Sequence, residues 1–206
     1  MAPPEGAFAA TVNPEDAPGE ATEIVLGFEA GLPVSIDGQM MDPVELMEAL
    51  TKIAGCNGFG RIDMIEDRCI GIKSREVYES PAALSLIKAH SELEDLTFTR
   101  ELQRYKSSVS ERMTELIYDG LWFSPLANCL RAFVDESQKY VNGEVRLRYY
   151  KGSCNVVGRR SPNSLYVDAL ATYGSGDGFS HKSAVGFIEL WGLPVEVWAR
   201  KRQGLL

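Results

Sequence analysis

From Gly58 to Ala83 the chain reads GFGRIDMIEDRCIGIKSREVYESPAA, its densest mixture of glycine, charge and β-branched residues. Ile62-Asp63-Met64-Ile65-Glu66 mixes apolar and acidic positions in the manner of a half-buried strand with Asp63 off the core face. Glu66, Asp67 and Arg68 then crowd three charges together, and Gly71 breaks the next short run. Tyr78 comes just before Pro81, which cannot continue a strand interior but suits the first turn of a helix. A hairpin folding back near Gly71 and Ile72 sets Glu66 opposite Tyr78, and directly opposed side chains are within contact distance. Such a carboxylate and phenol could hold a ligand ammonium and a second polar group. The same spacing also fits a plain surface hairpin, with Glu66 solvated or paired with Arg68 and Tyr78 capping the core edge. Charge clusters commonly face water, and spacing alone leaves both readings open.

The chain is long enough, at 206 residues, for one large domain or two small ones. A net charge of −8 argues against a general nucleic-acid binder, which needs a basic face for phosphates, and against anionic membranes. No stretch has the apolar length of a membrane span. The first twenty residues lack the basic and apolar regions of a secretory signal. Cys56, Cys69, Cys129 and Cys154 are widely spaced, with no CxxC pair for zinc, and read as reduced cysteines of a cytoplasmic protein.

Residues 1–22, rich in Pro, Ala, Glu and Gly, read as an extended leader. Residues 23–28 and 34–36 read as strands around an Ala30-Gly31-Leu32-Pro33 turn. Asp42 and Pro43 start a helix whose apolar face is Val44, Leu46, Met47, Leu50 and Ile53, ended by Gly55. Gly55, Gly58 and Gly60 precede a strand, the wrong context for a phosphate loop, and suit turns needing positive φ. Helices follow Pro81 (Leu84, Leu86, Ile87, Ala89, Leu93), run from Thr99 to Tyr118, and run from Leu126 to Tyr140. His90 reads as a packing residue. From Gly143, Val145, Leu147 and Tyr149 alternate with Arg146, Arg148 and Tyr150, and Asn155-Val156-Val157 pairs back across Lys151-Gly152. Arg146, Arg148, Arg159 and Arg160 form either a solvated sheet face or an attractor of anions toward a neighbouring site. Residues 174–178 read as a hinge. Beyond them comes an arm with Phe187, Trp191 and Trp198, which Pro194 should kink or interrupt and which needs another surface to cover it. The expected fold is α+β: a mostly antiparallel sheet from residues 23–36, 61–78 and 143–158, flanked by helices, in a domain spanning 23–173 with a C-terminal arm at 174–206.

The stretch from Gly58 to Pro81 resembles the signature of the argininosuccinate synthase family, whose usual form is Gly-Arg-Ile-Asp, Glu-Asn-Arg, Gly-Ile-Lys-Ser-Arg and Tyr-Glu. Collinear matches follow at Tyr118-Asp119-Gly120-Leu121-Trp122-Phe123-Ser124-Pro125, Val145-Arg146-Leu147, Tyr150-Lys151-Gly152, and Gly158-Arg159 leading to Ser161-Pro162-Asn163-Ser164-Leu165-Tyr166. The resemblance runs from about Pro3 to about Val197. It implies ligation of citrulline and aspartate at the expense of ATP, with ATP as co-substrate (with Mg), releasing AMP and pyrophosphate. It implies that Glu66 and Tyr78 bind citrulline. No catalytic acid–base pair stands out. Asp67 stands where the family has Asn, and Cys56-Asn57 stand where it has a basic residue and His. The family's Ser-Gly-Gly ATP loop is not in this sequence. The expectation is therefore the C-terminal half of a longer enzyme, inactive alone, its leader a former interdomain linker. A homotetramer through the C-terminal arm is implied as well. The rival expectation is a non-catalytic amino-acid-binding or oligomerisation module of the same fold.

Overall fold

The computed structural model describes residues 2–171 and 181–206. They form two compact units, Met1–Leu165 and Tyr166–Leu206. In chain order the first unit contains β1 (Thr22–Glu29), β2 (Leu32–Ile36), β3 (Gln39–Met40), α1 (Pro43–Cys56), β4 (Arg61–Asp67), β5 (Lys73–Glu79), α2 (Pro81–Thr97), α3 (Arg100–Tyr118), α4 (Pro125–Gln138), β6 (Gly143–Tyr150) and β7 (Ser153–Arg160).

Three two-residue turns shape the main sheet. Ala30-Gly31, Asp37-Gly38 and Lys151-Gly152 each place two successive residues at positive φ, the backbone that matches the twist of a tight hairpin. The strands order as β3-β2-β1-β6-β7, with every neighbouring pair antiparallel. The expected pairing across Lys151-Gly152 is present, with Arg148 opposite Asn155 and Tyr149 opposite Cys154. The first turn is tighter than the sequence suggests, because Leu32 and Pro33 already belong to β2. The β3 strand has no counterpart in the sequence reading; two residues are too few to show a period.

One face of the sheet presents Ile24, Leu26, Phe28, Val145, Leu147 and Tyr149 to the helices. Each is essentially excluded from water. Opposite them lie Leu46, Leu50 and Ala54 of α1 and Ala82, Ala89 and Leu93 of α2. The N-cap of α1 is as expected: the Asp42 carboxylate accepts from the amides of Val44 and Glu45. Its buried face is Leu46, Leu50 and Ala54, while Val44 and Met47 point out. Gly55 does not end the helix. It lies inside the helix, where the close approach of the leader requires glycine: a Cβ there would meet the Ala10 carbonyl oxygen at 2.3 Å. Helix α3 is capped by Thr99, whose Oγ1 accepts from Leu102 N, and α4 by Ser124, whose Oγ accepts from Ala127 N. These two helices meet through an edge-on Tyr105–Phe133 contact.

The α+β class holds, but residues 61–78 are not part of the main sheet. The β4 and β5 strands form a separate two-stranded sheet. Arg61, Asp63, Asp67, Lys73, Arg75 and Glu79 share one face, and Glu66, Ser74 and Glu76 interrupt Ile62, Met64 and Tyr78 on the other, so neither side is a continuous apolar face to lay against a core.

In the second unit, α5 covers Asp168–Ala171 and α6 covers His181–Arg202. Pro194 lies inside α6 without interrupting it. Phe187 stacks on Trp191, and the Arg202 guanidinium sits over Trp198. Val185, Phe187, Ile188, Leu190, Trp191, Val195 and Trp198 are all exposed. The hinge read at 174–178 lies outside the described residues.

Candidate functional site

The hairpin of β4 and β5 carries both residues singled out as ligand contacts, but not in the expected register. Glu66 is opposite Ser74, and Tyr78 is opposite Ile62. The loop explains the shift. Gly71 N donates to Arg68 O and Arg68 N to Ile72 O, with Gly71 at φ 78°. A glycine in this conformation closes the far side of a three- or four-residue loop rather than marking its tip. The apex is therefore Cys69-Ile70. Glu66 and Tyr78 still share a face, since strand side chains alternate. The long Tyr78 side chain runs along that face until its hydroxyl donates to Glu66 Oε2 at 3.1 Å. Burial, together with the bond to Glu66 and that group's negative charge, raises the Tyr78 phenol above its ordinary range.

The charges around this pair are mostly answered locally. Asp67 pairs with Lys73 at 2.6 Å and Asp63 with Arg75. The extra negative charge expected at Asp67 is thus met by a lysine one strand away. Next to Glu66 a cleft of about 390 Å³ opens between β4 and the end of α3, lined by Met64, Glu66, Asp67, Thr114, Glu115, Tyr118 and Asp119. It is acidic, as suits an ammonium group.

The base of the hairpin is fastened by the leader. The Glu79 carboxylate accepts from the amides of Ala9 and Ala10 and from Thr11 Oγ1 at 2.6 Å. Arg61 donates to both carboxylate oxygens of Glu5 and to Thr11, with Phe8 stacked 3.8 Å from its guanidinium. Burial works to raise the Glu79 carboxyl, but the bonds from Thr11 and the leader amides outweigh it and hold it below the ordinary value of 4.5. A lowered carboxylate pKa contributes stability that is complete above the unfolded value and lost as pH falls through the folded one. Protection of the Ala9 and Ala10 amides, taken relative to their intrinsic exchange at each pH, is therefore expected to hold from pH 7 to about 4.5 and to fall on further acidification. Glu79→Gln should flatten that profile, as amide exchange by NMR can check.

The other candidates fall elsewhere. Arg146, Arg148, Arg159 and Arg160 sit on β6 and β7, and none of them lines the cleft at Glu66. Arg159 pairs with Glu92, Arg160 with Glu144 and Arg148 with Glu23. Gly58 and Gly60 have positive φ, as turns require. Asn57 is buried, accepting from Thr22 Oγ1 and donating to Ile53 O, so its role is in packing. His90 likewise packs, against Phe28 and Gln138. Sequence reasoning missed Tyr118, whose hydroxyl donates to Asp67 O at 2.7 Å. It also missed the leader's grip on Arg61 and Glu79. Both are contacts between residues fifty or more positions apart, which no local pattern encodes.

Residues 1–198 match the family model described as the arginosuccinate synthase C-terminal domain. The chain is 54% identical over 197 residues to the argininosuccinate synthase of Listeria welshimeri, covering 96% of this chain and 49% of that protein. It is 52% identical to that of Crocosphaera subtropica, covering 98% and 50%, and 52% identical to that of Brevibacillus brevis, covering 100% and 49%. The chain spans about half the length of these curated relatives. On the strength of a match over nearly its whole length, the chain belongs to the arginosuccinate synthase C-terminal domain family.

Proposed function

We propose that this chain is the C-terminal part of an argininosuccinate synthase and supplies part of its citrulline site. In that reaction ATP adenylates the ureido oxygen of citrulline. The aspartate amine then displaces AMP, giving argininosuccinate, AMP and pyrophosphate. The observation that carries the reading is the hydrogen-bonded Glu66–Tyr78 pair beside an open acidic cleft. A carboxylate suits the α-ammonium of an amino acid, and its partner phenol can turn toward a second polar group of the same ligand. The contribution of this half is alignment and charge. Among the described residues no group of three or more His, Cys, Asp or Glu is placed to hold a metal ion. The Ser-Gly-Gly loop that binds ATP in the family does not occur in this sequence, and the chain alone does not turn over. The exposed apolar side chains of α6 support assembly into a homotetramer through that helix. A cytoplasmic location belongs to the same proposal, supported by four widely spaced cysteines with no CxxC pair.

The test is citrulline calorimetry on this chain, then with the N-terminal half supplied, together with AMP release from all three substrates. Binding in either form is expected, with turnover only in the second. Glu66→Ala should lose about 1.5–3 kcal/mol of affinity, the range for a hydrogen bond to a charged group. Unchanged citrulline affinity in Glu66→Ala, or no binding in either form, leaves the non-catalytic module as the better reading.

A further inference from the structure

The hairpin that carries Glu66 is a two-stranded sheet of its own. An isolated hairpin is marginal in water without support from elsewhere. Its base is secured by the leader through Arg61 and Glu79, and by Ser80 N donating to Gly60 O. These contacts lie at the end of the strands remote from the loop. Glu66 lies near the loop end, next to the last paired residue, Asp67. What holds that end in place therefore decides where the Glu66 carboxylate sits.

At that end the Tyr118 hydroxyl donates to the carbonyl oxygen of Asp67 at 2.7 Å. Tyr118 is the last residue of α3, and the turn behind it is firmly built. Asp119 N donates to Glu115 O, Gly120 N to Ile117 O and Leu121 N to Leu116 O, with Leu116 buried. The phenol is thus presented from a fixed point. Tyr118 and Glu66 line the same cleft.

We propose that Tyr118 is a positioning residue: by binding the backbone of Asp67 it pins the loop end of the hairpin to α3 and so fixes the Glu66 carboxylate, and the Tyr78 phenol bonded to it, for a ligand ammonium. This rests on the citrulline reading of Glu66 and names a further residue for that site. The influence runs through the backbone of the neighbouring residue, and Tyr118 need not touch the ligand.

The experiment compares wild type, Tyr118→Phe, Glu66→Gln and the double variant, all in the full chain. Amide exchange at Arg68 and Gly71 reports the loop end, and the amide of Leu147 in the main sheet serves as a reference. Citrulline is titrated in whichever form, alone or with the N-terminal half, binds in the calorimetry above. Tyr118→Phe is expected to speed exchange at Arg68 and Gly71 about fivefold, since the loss of one hydrogen bond is about 1 kcal/mol, and to leave Leu147 unchanged. It should weaken citrulline about three- to tenfold. In the Glu66→Gln background it should have little further effect, because coupled residues are non-additive; a merely structural role would add. Unchanged loop exchange, unchanged citrulline affinity in Tyr118→Phe, or full additivity overturns the positioning role. If Glu66→Gln itself leaves affinity unchanged, the citrulline reading falls first, and the positioning role falls with it.

Discussion

Gly60→Ala is expected to be among the most destabilising single-atom additions in this chain. Gly60 is buried at φ 117°, and a Cβ there would lie 2.4 Å from Pro81 Cα and 2.6 Å from Pro81 N. Both atoms are backbone, at the first residue of α2, so neither can swing aside. Overpacking of this kind costs about 1–3 kcal/mol, and holding a non-glycine residue in a strained conformation costs about 1–3 kcal/mol more. The expected total is about 2–6 kcal/mol, read as a lower urea midpoint with an unchanged slope. Gly38→Ala separates the two causes. Gly38 also has positive φ, but nothing lies within 4 Å of its Cβ position, so only the conformational cost of about 1–2 kcal/mol remains. Equal losses at the two sites would mean that Pro81 moves freely. In that case the junction of β4, β5 and α2 would not fix the direction of the hairpin.

Removing the Glu94 carboxylate is expected to cost about 3 kcal/mol, the lower end of the range for breaking a largely buried ion pair from one side. Glu94 on α2 accepts from Lys106 Nζ on α3 at 2.9 Å and from Gln138 Nε2 on α4 at 2.7 Å. Gln138 Oε1 in turn lies 2.8 Å from His90 Nε2. The side chains of Glu94 and Lys106 are only 11% and 20% exposed, so Glu94→Ala strands a lysine charge and an amide with little water to receive them. Arg100→Ala is the contrast. Its partner Glu101 is a neighbour in open solvent, with both side chains about 70% exposed, and such pairs contribute about 0–1 kcal/mol. A thermal-unfolding comparison checks both. Equal small losses would show that the three-helix junction is held by apolar contacts alone.

These two sites also mark the limit of what sequence reasoning could see. The glycines at 58 and 60 read correctly as positive-φ turn residues from their place before a strand. That Gly60 faces the start of α2, and that Gly55 is instead a helical residue pressed against Ala10, depends on which backbone comes to lie beside each one. His90 read correctly as a packing residue. Its network with Glu94, Gln138 and Lys106 could not be read, because its members come from three helices. At the hairpin, local alternation identified both strands and put Glu66 and Tyr78 close together. Their register was misjudged because a glycine at the end of a loop looks, in sequence, the same as one at its tip.

The sequence by itself determined the α+β class, the helix cap at Asp42, the alternating stripe of Val145, Leu147 and Tyr149, and membership of its family. Each of these is written in short-range periodicity, turn chemistry or collinear motif, all of which survive without coordinates. Only the tertiary structure decided that the hairpin of β4 and β5 stands apart from the main sheet, that the leader grips its base through Glu79 and Arg61, and that Tyr118 reaches its loop end. Those contacts join residues fifty or more positions apart. They exist because the core formed by the main sheet with α1 and α2 brings distant polar groups within hydrogen-bonding range, and geometry of that kind has no local signature.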